Sequence, residues 1–254
     1  MAKFDITPIT SGICALFFDL DGTLLENGTI NPAVRREIER VKAKGHKIFV
    51  NTGRSKAHLP AFVREDPIFD GLICGSAYIE YDGKILMNRT LSSTAKDQIL
   101  RFADKTGVPI IFEGVTEDYF YLMEKNEKNL IVGIDISRED FLSDKVEITK
   151  MTFCRVLHDI DVSDITDLRV IKFRTYGEGI IHGCDKAKAM SEVLPLIGVP
   201  RERIISFGDS ENDVEMLKAS AISVVMPHGA EKAKEVSDLI MPIDEALKII
   251  FPEA

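Results

Sequence analysis

The sequence lacks tryptophan and has only four cysteines among its 254 residues. None of the four takes part in a C-x-x-C pair, so the sequence offers neither a zinc-ribbon motif nor the cysteine density of a disulfide-stapled domain. We therefore expect free thiols in a reducing compartment, at Cys14, Cys74, Cys154 and Cys184.

Long hydrophobic runs are missing as well. The longest uncharged stretch near the N-terminus, residues 6–18, is interrupted by Thr, Ser and Pro. It is too short and too polar for a bilayer-spanning helix or a signal peptide. Glycine (17) and proline (10) are too few for a collagen-like or low-complexity chain. These absences predict a soluble, cytoplasmic globular protein with no membrane partner.

Basic residues are in the minority, with 32 Lys and Arg against 41 Asp and Glu and a formal net charge of −9. This excess of negative charge argues against a nucleic-acid-binding protein and against a protein that binds anionic membrane surfaces. An anionic small molecule could bind only where local cations offset the charge of the chain.

Apolar runs alternate with amphipathic segments at the start of the chain. Residues 13–18 form a continuous apolar run that ends at Asp19, as expected for a strand buried on both faces of a parallel sheet. A helix then begins at Pro32, after Asn31 as N-cap, and ends before Gly45. A second apolar run follows at residues 47–50. This strand–helix–strand order predicts a right-handed crossover in a parallel sheet.

The C-terminal third repeats this alternation, whereas the middle of the chain reads as a mixed α+β segment. Predicted C-terminal elements are a helix at 186–197, a strand at 203–207, a helix at 214–218, a strand at 222–225, a helix at 230–236, a strand at 239–240 and a helix at 244–249. Predicted middle elements are a helix at 93–105 and strands at 109–112, 118–123, 146–154 and 168–175. The predicted fold is α/β: a Rossmann-like parallel-sheet core (1–83 and 181–254) with an inserted α+β domain (84–180).

Polar side chains follow several of the predicted parallel strands. Asp19 and Asp21 follow the first strand, Thr52 the second, and Asp209 a strand of the C-terminal third. Ligands of open α/β sheets bind at the carboxyl ends of the strands, so these residues could converge there. Asp19 and Asp21 face the same way in an extended chain, and a bound cation such as Mg²⁺ would relieve their repulsion.

Each of these patterns also has an ordinary structural interpretation. An isolated Asp-x-Asp-Gly is typical of a turn, and residues 52–54 could be a strand-to-helix turn. Lys186 could be a solvated lysine, although a cation is mildly unfavourable at a helix start. The position of Asp19 directly after a buried strand, together with the acidic segment at 208–213, favours a functional site over a simple turn.

These residues together resemble the motifs of the haloacid dehalogenase-like phosphatases. Residues 18–24 (F-D-L-D-G-T-L) resemble the first motif of that family, residues 51–54 (N-T-G-R) the second, Lys186 the third and residues 208–213 (G-D-S-E-N-D) the fourth. An α+β insert between the second and third motifs is similar to the Cof-type subfamily, whose larger cap domain lies there.

The resemblance implies a role for each matching residue. Asp19 would be the nucleophile that forms an aspartyl-phosphate. Asp21 would protonate the leaving alcohol and then deprotonate the attacking water, which favours a buried position for its carboxyl group. Thr52 would hydrogen-bond the phosphoryl oxygens, and Lys186 would neutralise their charge.

The resemblance also implies a Mg²⁺ cofactor and contacts to substrate. The metal would be held by the Asp19 carboxylate, the main-chain carbonyl of Asp21 and Asp209, with Asp213 supporting its waters. The substrate contacts implied by the motifs come from Thr52, Gly53, Arg54, Lys186 and Asn212.

Some positions depart from the pattern of the family. Ser55 follows Arg54 where proline is usual, and Ala187 follows Lys186 where glycine is common. These departures concern loop shape and substrate contacts rather than phosphoryl transfer. Candidate positions for selecting the leaving group are residues 75–77 and 113–121.

The resemblance implies a Mg²⁺-dependent phosphatase of small phosphorylated metabolites, with sugar phosphates favoured. We expect a small-molecule phosphate ester as partner, no nucleic acid, and a monomer or small homo-oligomer. A phosphomutase or phosphotransferase would use the same aspartyl-phosphate, and a non-catalytic binding module of this fold is the alternative from another class. A signalling receiver module is about half this length and has no place for the insert.

Overall fold

The computed structural model describes residues 11–123 and 136–253. The first ten residues lie outside the described residues, and they include residues 6–10 of the uncharged stretch at 6–18. Contacts divide the chain into two compact units. The first unit comprises residues 1–53, 65–86 and 185–254, and the second comprises residues 54–64 and 87–184.

Strands and short helices alternate along most of the described chain. The strands are β1 Ala15–Phe18, β2 Leu25–Glu26, β3 Thr29–Ile30, β4 Lys47–Thr52, β5 Gly71–Cys74, β6 Tyr78–Tyr81, β7 Lys84–Asn88, β8 Ile110–Gly114, β9 Tyr119–Tyr121, β10 Ile148–Phe153, β11 Leu168–Lys172, β12 Gly177–Ile181, β13 Ile204–Gly208, β14 Ile222–Val225 and β15 Leu239–Ile240. The helices are α1 Pro32–Ala43, α2 Ala61–Arg64, α3 Ser93–Thr106, α4 Arg138–Leu142, α5 Lys186–Ile197, α6 Val214–Lys218, α7 Glu231–Lys234 and α8 Ile243–Ile250, with 3₁₀ turns at Arg201–Arg203 and Glu211–Asp213.

The first unit is built on an eight-stranded sheet with the order β15-β14-β13-β1-β4-β5-β6-β7. Neighbouring strands from β15 through β5 run parallel, and β6 is antiparallel to β5. The predicted α/β fold with a predominantly parallel sheet is confirmed. Strands β13, β1 and β4 lie side by side at its centre, so their carboxyl ends are adjacent.

Strand β1 is buried along its whole length, as its apolar run predicts. Phe17 stacks on Phe49 of β4, and Phe18 stacks on Phe207 of β13. The strand begins at Ala15, two residues later than the apolar run, because the Ile13 side chain is 42% exposed. The aromatic stacking fixes the central strands around the point where β1 ends at Asp19.

Local capping residues set the ends of two helices in this unit. The side chain of Asn31 accepts a hydrogen bond from Ala33 N (2.8 Å) at the start of α1, as predicted. The side chain of Asp185 accepts one from Lys188 N (2.8 Å) and caps α5. Helix α5 ends at Gly198, whose φ of +66° suits a left-handed C-cap. Lys186 is therefore fixed as the first residue of a well-defined helix.

The second unit contains a five-stranded antiparallel sheet with the order β11-β12-β10-β8-β9. Its apolar core includes buried residues of helices α3 and α4 together with Phe112, Met151 and Phe153 of the sheet. Ser92 caps α3, and the helix ends at Gly107 as predicted. All four cysteines are free thiols, as predicted, and the reducing compartment stays a prediction.

The contact division differs from the predicted domain boundaries at three places. Residues 84–86 fall in the first unit and residues 181–184 in the second. Residues 54–64, which begin at the last residue of the second motif, also fall in the second unit. Ser55 Oγ donates to Asp118 Oδ1 (3.1 Å), and His58 Nδ1 lies 3.0 Å from Asp118 Oδ2, so one carboxylate of the second unit binds this segment twice.

No helix within residues 11–123 and 136–253 is both long enough and apolar enough to cross a bilayer.

Candidate active site

Asp19 lies at the carboxyl end of β1 and is only 5% exposed. Its backbone N–H donates to the carbonyl oxygen of Phe207 (2.9 Å), which continues the pairing of β1 with β13 for one more residue. The sheet therefore fixes the Asp19 backbone, and its carboxylate points into the polar cluster described next.

Lys186 joins two carboxylates that are far apart in the sequence. Its ammonium group donates to Asp19 Oδ1 (2.5 Å) and to Asp213 Oδ1 (2.6 Å), and all three side chains are buried. Burial by itself would lower the pKa of Lys186, but Asp19 and Asp213 outweigh it and hold that pKa above its ordinary value. Lys186 is therefore charged, and its position at the positive end of helix α5 is offset by these two carboxylates.

The acidic side chains around Lys186 exceed the positive charge that it supplies. Asp19, Asp209 and Asp213 each bring a carboxylate oxygen within 4.8 Å of the others. Burial, together with the charge of Asp213, raises the pKa of Asp19 to about 7 against the opposing effect of Lys186. Burial and Asp213 also raise the pKa of Asp209. A bound cation would relieve this repulsion, and the all-oxygen donor set suits Mg²⁺.

Asp213 organises the loop that carries Asp209. Its Oδ2 accepts hydrogen bonds from the backbone N–H groups of Asp209 and Ser210 (3.0 Å each) and from the Ser210 hydroxyl (3.2 Å). Its Oδ1 accepts from Lys186. Because both of its oxygens already have protein partners, Asp213 acts in the structure as the residue that holds Lys186 and Asp209 in place.

The turn after Asp19 packs directly against Asp209. Gly22 has a φ of +80°, and a Cβ atom at this position would lie 2.5 Å from Asp209 Oδ2, so the turn requires glycine here. Thr23 Oγ1 donates to Asp209 Oδ1 (3.2 Å). The turn interpretation and the functional interpretation of the D-x-D-G segment are therefore compatible.

Asp21 differs from its sequence-based prediction. Its side chain is exposed, so the expectation of a buried carboxyl is wrong. Asp21 lies beyond the buried strand β1, in the turn next to Gly22 (φ +80°). The Asp21 carboxylate is not part of the acidic cluster formed by Asp19, Asp209 and Asp213. Its predicted contribution to a metal site is the main-chain carbonyl.

The remaining predicted residues occupy three different places. Thr52 is buried at the end of β4, and its carbonyl accepts a hydrogen bond from Gly75 N (3.0 Å). Gly53 lies close to the exposed Asn212, because a Cβ atom on Gly53 would be 3.9 Å from Asn212 Nδ2. Arg54 belongs to the second unit, where its guanidinium donates to the carbonyl of His58 (3.2 Å).

The sequence analysis did not identify His228 as a residue of this site. The Nε2–H of His228 donates to the carbonyl oxygen of Gly22 (2.8 Å). The same loop approaches the other side of the cluster, where Ala230 N donates to the carbonyl of Asp209 (2.6 Å). The His228–Gly22 contact joins residues 206 positions apart, and no local pattern in the sequence could indicate it.

The two candidate selectivity segments lie in different units. Gly75 and Ser76 form the tight turn between β5 and β6, with φ values of +56° and +57°. Glu113 lies in the second unit, where burial raises its pKa and its Oε1 accepts a hydrogen bond from Thr152 (2.6 Å). Within the second unit, Lys150 Nζ lies 3.9 Å from Glu113 Oε1, so a buried charged pair stands on this sheet.

Comparison with known proteins gives a family match over most of the chain. A family model described as haloacid dehalogenase-like hydrolase matches residues 16–246. A 5-amino-6-(5-phospho-D-ribitylamino)uracil phosphatase of Bacillus subtilis is 24% identical over 241 residues, which cover 87% of this chain and 88% of that protein.

Solved structures are similar to this chain over almost its full length. A sugar phosphatase of haloacid dehalogenase subclass IIB is 27% identical, with a TM-score of 0.76 and coverage of 92% of this chain and 95% of the other. A structure reported for a conserved trigonal-bipyramidal intermediate in a phosphoryl-transfer superfamily is 26% identical, with a TM-score of 0.78 and coverage of 94% and 98%.

Proposed function

Because the chain belongs to the haloacid dehalogenase-like hydrolases and to their phosphatases, we propose that it hydrolyses small phosphate esters through an aspartyl-phosphate on Asp19. The observation that carries this proposal is the buried contact of Lys186 with Asp19 and Asp213, next to Asp209, at the carboxyl ends of parallel strands. The arrangement combines a fixed carboxylate with the positive charge that an anionic substrate needs in a chain of net charge −9.

In the first half-reaction, a carboxylate oxygen of Asp19 attacks phosphorus, and the bond from phosphorus to the alcohol oxygen of the substrate breaks. Asp21 donates a proton to that leaving oxygen. In the second half-reaction, Asp21 takes a proton from a water molecule whose oxygen attacks the phosphorus of the aspartyl-phosphate. Inorganic phosphate leaves and the Asp19 carboxylate is restored, so one difficult hydrolysis is divided into two easier steps.

Asp21 is exposed in the structure. The two half-reactions return it to its starting state, because the proton that it gives to the leaving oxygen is replaced by the proton that it takes from water. Lys186 holds one oxygen of Asp19 by a direct hydrogen bond and places a positive charge beside the nucleophile. That charge lowers the repulsion between the Asp19 carboxylate and a phosphate dianion.

The metal of this site is Mg²⁺, which the carboxylates of Asp19 and Asp209 and the main-chain carbonyl of Asp21 would hold, with Asp213 supporting its waters. Bound Mg²⁺ supplies positive charge that screens the phosphoryl oxygens from the acidic side chains. Its fit rests on the oxygen-only donor set and on the raised pKa values of Asp19 and Asp209.

Thr52 binds the phosphoryl oxygens of the substrate, and Lys186 neutralises their charge. The further substrate contacts implied by the motifs are Gly53, Arg54 and Asn212. The substrate class is sugar phosphates or similar polyol phosphates. This choice is supported by the subclass IIB sugar phosphatase among the similar structures and by the relative named for a phosphoribityl compound. Residues 84–180 serve as the cap domain that selects the leaving group, and the protein works in the cytoplasm as a monomer or small homo-oligomer.

The test is the release of inorganic phosphate from a panel of sugar, nucleotide and small-acid phosphates plus one aryl phosphate. We expect Mg²⁺-dependent release by the wild-type protein, loss of release after EDTA treatment, and recovery when Mg²⁺ is restored. Asp19→Asn keeps the size of the side chain but removes the nucleophile, so it should reduce release to the background rate. Substantial release by Asp19→Asn, or release that EDTA does not affect, would contradict the proposal.

The products of the same assay separate the other functions. Conversion of one sugar phosphate into its isomer, without release of inorganic phosphate, would identify a phosphomutase. Binding of phosphate esters by a folded protein that neither releases nor transfers phosphate would identify a binding module.

A further inference from the structure

Asn51 is a fully buried polar residue directly before Thr52, near the end of β4. Its Nδ2 donates to the carbonyl oxygen of Lys186 (3.1 Å) and lies 3.3 Å from Met216 Sδ. A carbonyl oxygen can only accept, so the side-chain atom that faces Lys186 must be the amide nitrogen. The NH₂ group of Asn51 therefore connects the end of β4 with helix α5 and helix α6.

These two contacts involve the helices next to the ion pairs that Lys186 forms with Asp19 and Asp213. Lys186 is the first residue of α5, and its side chain extends from that backbone to Asp19 and Asp213. Met216 lies in α6, three residues after Asp213. One amide group thus contacts the backbone of Lys186 and the side chain of Met216, which belongs to the helix that follows Asp213.

Asn51 also carries an unfavourable feature that packing alone does not explain. Its Oδ1 is buried and has no hydrogen-bond partner within the described ranges. An unsatisfied buried acceptor costs on the order of 1–3 kcal/mol. The preceding residues of β4, Ile48, Phe49 and Val50, are apolar and fully buried. An apolar side chain at position 51 would avoid this cost, so the contribution of Asn51 has to come from its donor group.

We propose that Asn51 is a positioning residue for phosphoryl transfer. Its amide group fixes the first turn of α5 against β4, so that the Lys186 ammonium stays within hydrogen-bond distance of Asp19 and Asp213. The inference rests on the proposed function, because it assigns Asn51 a role in the same reaction. A displacement of Lys186 by even a fraction of an ångström weakens charge stabilisation that is realised in the transition state.

A purely structural role and a positioning role predict different results. If Asn51 only supports the fold, its replacement by an apolar residue should change stability, while the activity per folded molecule stays constant. If Asn51 positions Lys186, the same replacement should reduce kcat even though the orphaned Oδ1 has been removed and the fold is as stable as before or more stable.

The decisive variant is Asn51→Leu, which has a similar size and no donor. We expect a urea unfolding midpoint equal to or above that of the wild type, a kcat at least about 10-fold lower and a KM within about 2-fold. Asn51→Ala tests the same point with a smaller side chain if the leucine variant does not fold. A wild-type kcat in either folded variant would overturn the proposal.

Ser206→Ala is the matched control. Ser206 lies on the neighbouring strand β13, is fully buried, and its Oγ likewise has no partner among the described residues. Its hydroxyl group therefore has no hydrogen bond to α5 or α6 within the described part of the chain. We expect the substitution to leave kcat within about 2-fold of wild type. A loss of kcat in Ser206→Ala as large as that in Asn51→Leu would show a general effect of buried polar groups and would overturn the specific role of Asn51.

A second readout separates failure of this inference from failure of the proposed function. The NMR signal of the Lys186 ammonium group can be assigned as the one missing from Lys186→Met. We expect this signal to shift in Asn51→Leu and to stay in place in Ser206→Ala. If the wild type releases no phosphate, the proposed function fails, and an unshifted Lys186 signal in Asn51→Leu would separately overturn the positioning role.

Discussion

Asp19 and Asp21 are two residues apart, yet their environments are opposite. Asp19 is buried against Lys186, and burial raises its pKa to about 7, whereas Asp21 is exposed. The chain changes direction at Gly22, so the two carboxyl groups do not share one surface. A fixed, buried carboxylate suits a nucleophile, and an exposed one suits a group that exchanges protons with water. The difference follows from the turn rather than from the residue types.

Gly22→Ala tests whether the close packing of this turn against the Asp209 carboxylate is needed for metal binding. Its new Cβ atom would lie 2.5 Å from Asp209 Oδ2 and displace that carboxylate from the acidic cluster. We expect the Mg²⁺ concentration that gives half-maximal activity to rise at least about 10-fold, since one proposed ligand moves. Calorimetric titration of the protein with Mg²⁺ provides an independent measurement.

Gly28→Ala is the control for backbone strain. Gly28 has a φ of +78°, almost the same as Gly22, and no atom lies within 4 Å of its ideal Cβ position. Both substitutions place alanine in the left-handed region, at a cost of about 1–2 kcal/mol. Equal weakening of Mg²⁺ activation in the two variants would show that strain, and not contact with Asp209, controls the metal site.

At the scale of elements, helices with clear end signals were predictable from the sequence. The helix predicted at 186–197 has the same bounds in the structure, because Asp185 caps its start and Gly198 its end. Two strands of the first unit, β14 and β15, also have their predicted bounds. Local chemistry determines these ends, and it is visible in the sequence.

Strands β5 and β12, whose glycines are closely packed against neighbouring residues, were not predicted. Strand β12 contains Gly177 and Gly179, and a Cβ atom on Gly179 would lie 2.6 Å from Met151 Cγ. Strand β5 begins at Gly71, where a Cβ atom would lie within 2.4 Å of Phe49. Glycine weakens the sequence pattern of a strand. The need for it arises from a neighbouring strand, which only the structure shows.

Helix α3 of the second unit contains a buried cation. Lys96 is fully buried, and its ammonium group donates to the carbonyl oxygens of Phe141 (3.0 Å), Ser143 (2.7 Å) and Val146 (3.2 Å). Phe141 belongs to α4, and the other two residues follow it. The three hydrogen bonds bind carbonyl groups at and just after the end of this short helix, where Ser143 O also accepts from Val146 N (3.2 Å).

Lys96→Met should therefore destabilise the second unit by about 2–4 kcal/mol, because it removes three hydrogen bonds to carbonyl groups at a buried position. Hydrogen exchange of the amides of α3 and α4 measures this change locally. Lys105→Met is the control on the same helix, since Lys105 forms only an exposed ion pair with Asp164 (3.3 Å, both side chains 74% exposed). We expect a change within about 0.5 kcal/mol there. Similar effects of the two variants would contradict the capping role of Lys96.

At the scale of the whole molecule, the site combines residues from distant parts of the sequence. The convergence of Asp19 and Asp209 could be predicted, since both follow parallel strands and such strands end at one edge of a sheet. The contacts of Lys186 with Asp19, of Asn51 with Lys186 and of His228 with Gly22 could not. They depend on how helix α5 and the late loops pack against the sheet, and no local sequence pattern encodes that packing.

The most direct test of the central claim is to trap phosphate on Asp19. Borohydride reduces an aspartyl-phosphate to homoserine. The protein is mixed with Mg²⁺ and a phosphate ester that it hydrolyses, and the reaction is then quenched with borohydride. Peptide mass spectrometry should find homoserine at position 19. Asp19→Asn and wild-type protein without substrate should carry none. Phosphate release with no modification at position 19, or with modification of a different carboxylate, would contradict the account.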